Sequence, residues 1–107
     1  MSGFEDREKG EEGKFALDAE LRFKATARRD KLVGQWVGET FLAQTGSEVE
    51  DFAKEVVKAN FERPGDDDVV EFILKRVAET GADLSEHRLR NKMEELMREA
   101  ERQMSKG

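Results

Sequence analysis

Apolar residues in this chain recur at three- and four-residue spacing, and no segment reads as a strand. That periodicity constrains the fold more than any other feature. In the last stretch Leu89, Met93, Leu96, Met97, Ala100 and Met104 form one seam. Side chains so spaced fall on one face of a helix, which must then be covered by another element.

Three more helical patterns precede it. The first runs from about Phe15 to Leu42, with Ala25, Leu32, Val33, Trp36, Val37, Phe41 and Leu42 on one face. Its first half is weaker: Ala16, Ala19 and Phe23 lie on a slightly rotated face beside Leu21, so the helix is expected to project there. Gly34 and Gly38 sit inside it, and each costs about 1 kcal/mol relative to Ala. The pair either permits close helix packing or weakens the helix locally. The second helix follows Gly46, with Ser47 and Glu50 spaced as a capping box. Its stripe is Val49, Phe52, Ala53, Val56 and Val57. Pro64-Gly65 makes the next turn, and Asp66 is placed to cap a third helix carrying Val69, Val70, Ile73, Leu74 and Val77. Gly81 closes that helix. Ser85, or Asp83 paired with Glu86, caps the fourth. Short connections bring neighbouring helices together antiparallel. The fold expected is all-α: a small four-helix bundle with a long first helix.

Composition agrees. The chain has 107 residues, of which 36% are hydrophobic and 41% charged. One small domain with a modest core and a charged exterior follows. No cysteine is present, so neither disulfides nor a thiolate metal site can form. No apolar run approaches membrane-spanning length. A soluble protein in the cytoplasm, without direct membrane insertion, is expected. Net charge is −6, and all of it comes from residues 32–107; residues 1–31 carry eight acidic and eight basic side chains. An acidic body disfavours nucleic acid.

Catalytic constellations are missing. His87 is the sole histidine and has no cysteine to join it in a metal site. Neither a phosphate-binding glycine loop nor a nucleophile elbow occurs. Asp66-Asp67-Asp68 lacks the alternating ligands of a calcium loop. It is better read as negative charge at a helix N-terminus. The stretch "FKATARRDK" gathers Lys24, Arg28, Arg29 and Lys31 around Asp30. It reads as a solvated helix face or as a surface that pairs with carboxylates of a protein partner.

The opening stretch, "FEDREKGEEGKF", is different. As a helix it would place Phe4 and Phe15 on one face about 16 Å apart. Pairs such as Glu5 with Lys9 offer about 0.2–0.5 kcal/mol each. Gly10 and Gly13 oppose helix by about 1 kcal/mol each. The glycines win, so residues 1–17 are expected to be largely disordered alone. They form either a plain tail or a recognition segment that folds on binding, anchored by its two aromatics.

Residues 4–36 resemble the N-terminal signature of the zeta subunit, the ATPase-inhibitor subunit of F-type ATP synthases in alphaproteobacteria. Phe4, Asp6, Arg7, Glu8 and Lys9 match its opening, and Lys14, Phe15 and Ala16 its next block. Asp18, Glu20, Leu21, Phe23, Lys24, Ala25, Ala27, Arg28, Arg29, Lys31 and Leu32 follow, then Gly34 and Trp36. Later segments match more loosely, and the resemblance covers essentially the whole chain. It implies a four-helix fold and a non-enzymatic regulator with no cofactor, peripheral to the inner membrane through ATP synthase. It divides the chain into an inhibitory segment, residues 1–17, and a four-helix domain, residues 18–107. The segment would enter an interface between alpha and beta subunits and touch gamma. Phe4, Asp6, Arg7, Glu8, Lys9, Glu11, Lys14, Phe15 and Asp18 would make the contacts. Leu21, Arg22, Lys24, Arg28 and Arg29 would add secondary ones, and the free form would be a monomer. The family often has other residues at Gly10, Gly13, Leu17 and Ala19. Two other readings are a helical interaction module without inhibition, and a weak adenine-nucleotide sensor using Lys24 and Arg28.

Overall fold

The computed structural model describes residues 19–106, which form four helices and no strand: α1 (Ala19–Phe41), α2 (Ser47–Glu62), α3 (Asp66–Glu79) and α4 (Glu86–Lys106). The expected bundle is therefore present, with α1 the longest helix. The expectations for residues 1–17 lie outside the described residues.

The four stripes meet in one core. Val33 and Val37 of α1 pack with Phe52 and Val56 of α2, Val69, Ile73 and Val77 of α3, and Leu89 and Met93 of α4. α1 packs most extensively on α2 and next on α4. It runs antiparallel to both. Phe23 meets Phe61 while Gly34 meets Ala53, and Arg28 meets Gln103 while Trp36 lies under Arg88. Trp36 stands edge-on to Phe41, centroids 5.3 Å apart, and Lys92 covers it at 5.3 Å.

Both glycines of α1 mark close approaches. A Cβ on Gly34 would lie 2.6 Å from the Ala53 Cα, so α2 crosses there backbone to backbone. A Cβ on Gly38 would lie 2.7 Å from Gln44 Oε1, because the chain beyond α1 folds that side chain back over the helix. Close helix packing, one of the two readings of this pair, holds at Gly34, whereas Gly38 meets a side chain of the connection that follows α1.

Two helix starts differ from expectation. Gly46 (φ 58°) and Gly65 (φ 135°) occupy the N-cap positions, so Ser47 and Asp66 become first helical residues. The Ser47–Glu50 box is not made; instead Glu48 reaches back to the Thr45 N–H at 3.4 Å. A glycine at positive φ supplies the bend that a capping side chain would otherwise have to hold. At α4 the expected cap is present: the Arg88 N–H donates to Ser85 Oγ at 3.1 Å. Gly81, at φ 81°, follows the end of α3 as expected. Ser85→Ala is expected to destabilise the bundle by about 1 kcal/mol in thermal unfolding. Asp83→Ala, which removes no such bond, is expected to have little effect.

Candidate functional site

The N-terminal half of α1, the C-terminal end of α2 and the Pro64-Gly65 turn converge at one end of the bundle. At their junction lie two charges that the sequence pattern hid. Arg29 is 3% exposed and Asp30 1%. Arg29 donates through Nε to Asp30 Oδ1 at 2.9 Å and through Nη2 to Asp66 Oδ1 at 3.1 Å. Asn60 Nδ2 donates to Asp30 Oδ2 at 2.7 Å, and Asn60 Oδ1 accepts from the Gly65 N–H at 3.1 Å. Four side chains thus tie α1 to α2 and to the start of α3. Burial works against both charges. The two carboxylates overcome it for Arg29 and hold its guanidinium above the ordinary value. Burial pushes the Asp30 carboxyl up, against the attraction of Arg29 and the hydrogen bond from Asn60.

Asp67 and Asp68 are also engaged. Arg90 of α4 donates to Asp67 at 2.8 Å, and Arg63 lies 3.5 Å from Asp68. All three aspartates of the first turn of α3 therefore pair with arginines. Among the described residues no group of three or more His, Cys, Asp and Glu is arranged to hold a metal ion.

Over this junction opens a groove of about 920 Å³, whose walls include Ala19, Arg22, Phe23, Val57, Phe61 and Met97. Phe23 (57% exposed) and Phe61 (69%) are the exposed large hydrophobic side chains of the described residues. They meet edge to face with centroids 6.0 Å apart. A shallower hollow of about 480 Å³ shares Val57 and Phe61 and continues between Lys31, Lys54 and Lys58. The result is an aromatic face whose rim carries Lys31, Lys54 and Lys58 with Glu50 among them, on a chain whose net charge is −6.

A model of one protein family, described as ATPase inhibitor subunit zeta, matches residues 1–103. The chain belongs to that family. A comparison with curated proteins finds no match. Membership supports a role as a regulator of an ATPase, and the match runs unbroken from residue 1 to residue 103. Phe4, Asp6, Arg7, Glu8, Lys9, Glu11, Lys14, Phe15 and Asp18 lie outside the described residues. The secondary set is described, and it divides. Arg22 and Lys24 are exposed, and Lys24 sits 3.3 Å from Glu20 one turn before it. Arg28 is exposed and donates to Gln103 of α4 at 2.7 Å. Leu21 is half-buried. Arg29 is turned inward: its guanidinium is spent on Asp30 and Asp66 and offers nothing at the surface. Asp30, Asn60 and Phe61 were not anticipated from the sequence. A signal for Arg29 did exist, since Ala25, Arg29, Val33 and Val37 are each four residues apart and share the buried face.

Proposed function

We propose that this chain binds the catalytic head of an F-type ATP synthase and inhibits ATP hydrolysis, with residues 1–17 entering an alpha/beta interface beside gamma. The observation that carries this reading is the extent of the family match, which begins at residue 1 and includes the segment as well as the bundle. The bundle supplies a rigid holder. The described part of α1 begins at Ala19, and the junction of Arg29 with Asp30 and Asp66 secures the N-terminal half of α1 to α2 and α3. An interface that closes on the segment gives it a partner for ordering, which its own composition does not provide. The protein would thus lie in the cytoplasm, at the inner membrane through ATP synthase. Among the described residues no helix is long and apolar enough to cross a membrane.

The test is hydrolysis by purified catalytic head with the full chain, with residues 1–17 removed, and with Phe4→Ser and Phe15→Ser together. Inhibition by the full chain alone is expected, the bundle of each variant being checked by circular dichroism. Undiminished hydrolysis at saturating full chain would sink the inhibitor reading. Equal inhibition by the truncated chain would sink the role of the segment. If the segment binds as a helix, Gly10→Ala with Gly13→Ala removes about 2 kcal/mol of ordering cost. Inhibition is then expected to tighten by roughly thirtyfold. An unchanged inhibition constant would mean that the bound segment is not helical at those positions.

A further inference from the structure

The seam between α1 and α2 is an open groove with an aromatic end and a basic end. We propose that this groove docks an acidic amphipathic helix of the catalytic head, a second contact that anchors the bundle outside the alpha/beta interface. The proposal deepens the inhibitor reading and rests on it.

Three contacts fix the antiparallel register of the seam. Phe23 stands edge to face with Phe61, Gly34 lies against Ala53, and Gln35 Nε2 donates to Glu50 Oε2 at 3.4 Å. From Phe23 to Gln35 the seam runs roughly 18 Å, at about 1.5 Å per residue. Its floor is made of small side chains, Ala27, Ala53 and Val57. Phe23 and Phe61 wall one end. Lys31, Lys54 and Lys58 line the other half, which closes at Glu50. A low floor between taller walls is the shape that receives a helix.

Charge selects the occupant. Among the described residues neither Lys31 nor Lys54 forms an ion pair, while Lys58 has Glu62 at 3.9 Å and Glu50 has the Gln35 amide. Three ammoniums against the carboxylates of Glu50 and Glu62 leave a net +1 in that half, on a chain of −6. The aromatic end carries Arg22 and Glu101, with Asp30 and Asp66 held by Arg29. Carboxylates of a partner are therefore drawn to the lysines and not to the aromatics. Phe23 and Lys31 lie about 12 Å apart along α1, a little over two helical turns. A partner helix with an apolar side chain against the two phenylalanines thus reaches the lysines with carboxylates about two turns away. A lipid surface also takes aromatics and lysines together. The groove is concave and the chain acidic, and both disfavour a flat anionic surface.

Glu50 supplies the test, because it is the like charge on the same rim. Full-length variants are titrated into purified catalytic head by calorimetry, with hydrolysis followed in parallel. Lys31→Glu with Lys54→Glu is expected to weaken binding about tenfold or more, and Phe61→Ser about as much. Glu50→Gln is expected to tighten it about two- to fivefold. All four positions are exposed, and circular dichroism checks each fold. Loss of structure does not produce opposite signs from Glu50 and Lys54, one turn apart on α2. Added salt weakens the unsubstituted chain more steeply than the lysine double variant. Binding that the whole set leaves unchanged overturns the proposal. So does the reverse pattern of signs, which would assign the groove to a basic partner. Binding of the free chain to phosphatidylglycerol vesicles, lost on reversing both lysines, would assign it to a membrane and overturns the proposal as well. A chain that binds with the expected pattern but leaves hydrolysis unchanged keeps the docking and sinks the inhibitory reading. One that inhibits with constants the substitutions do not move sinks the docking alone.

Discussion

Asp30→Ala is expected to lower the unfolding free energy by about 3–5 kcal/mol, because it strips a buried arginine of its nearest counter-charge. Asp66 still holds Arg29 Nη2, which moves the value toward the lower end. For a domain of this size about 3 kcal/mol corresponds to a Tm roughly 12–24 °C lower. Asn60 loses its acceptor as well, so the Pro64-Gly65 turn loosens with it. Replacing both charges, Arg29→Met with Asp30→Leu, is expected to recover most of the loss, since a well-packed apolar pair needs no compensation for desolvation. A single variant within about 1 kcal/mol of wild type would show that the junction is not what secures α1. The pH dependence has a definite sign. Burial raises the folded pKa of Asp30 above its ordinary 3.8, so the folded state takes up this proton more readily than the unfolded chain. The group's contribution is therefore greatest in acid and falls as pH rises through the folded value. Stability relative to Asp30→Asn should fall over that window. A rise would mean that Arg29 and Asn60 outweigh burial.

Gly34→Val is expected to cost about 3 kcal/mol by overpacking, at the upper end of the usual range. The new Cβ would meet the Ala53 Cα at 2.6 Å, and backbone cannot step aside as a side chain can. α2 must move away from α1, which opens the contact around Val33, Phe52 and Val56. Ala53→Gly offers only partial rescue, because the nearest atom is the Cα rather than the Cβ. Gly38 is the comparison. There the obstacle is the end of the Gln44 side chain, which can swing out. Gly38→Ala is therefore expected to be milder than Gly34→Ala in thermal unfolding, although both gain about 1 kcal/mol in helix propensity. Equal effects would remove the distinction between a helix crossing and a loop contact.

The four helices were legible because each carries an apolar stripe of three turns or more, and periodicity of that length has few alternatives. The seams at Val49–Val56 and Leu89–Ala100 appear where spacing put them. The starts of α2 and α3 were less legible. Ser47 and Asp66 have the right chemistry for caps, but each follows a glycine whose positive φ takes over the capping position. The site was hardest to read. In "FKATARRDK" local charge density suggests solvent, yet Arg29 and Asp30 fall on the inward face and neutralise each other there. Their third partner, Asn60, is thirty residues away from Asp30. Phe61, in the last turn of α2, is exposed, and the apolar stripe read for that helix did not include it.

The antiparallel run of α1 along both α2 and α4 has a mechanical consequence. A pull on the N-terminus of α1 is directed along the interfaces it shares with its neighbours. The side-chain contacts along both flanks are then strained together, in shear, instead of parting one after another as in peeling. A pull along this axis works against the whole length of the helix at once.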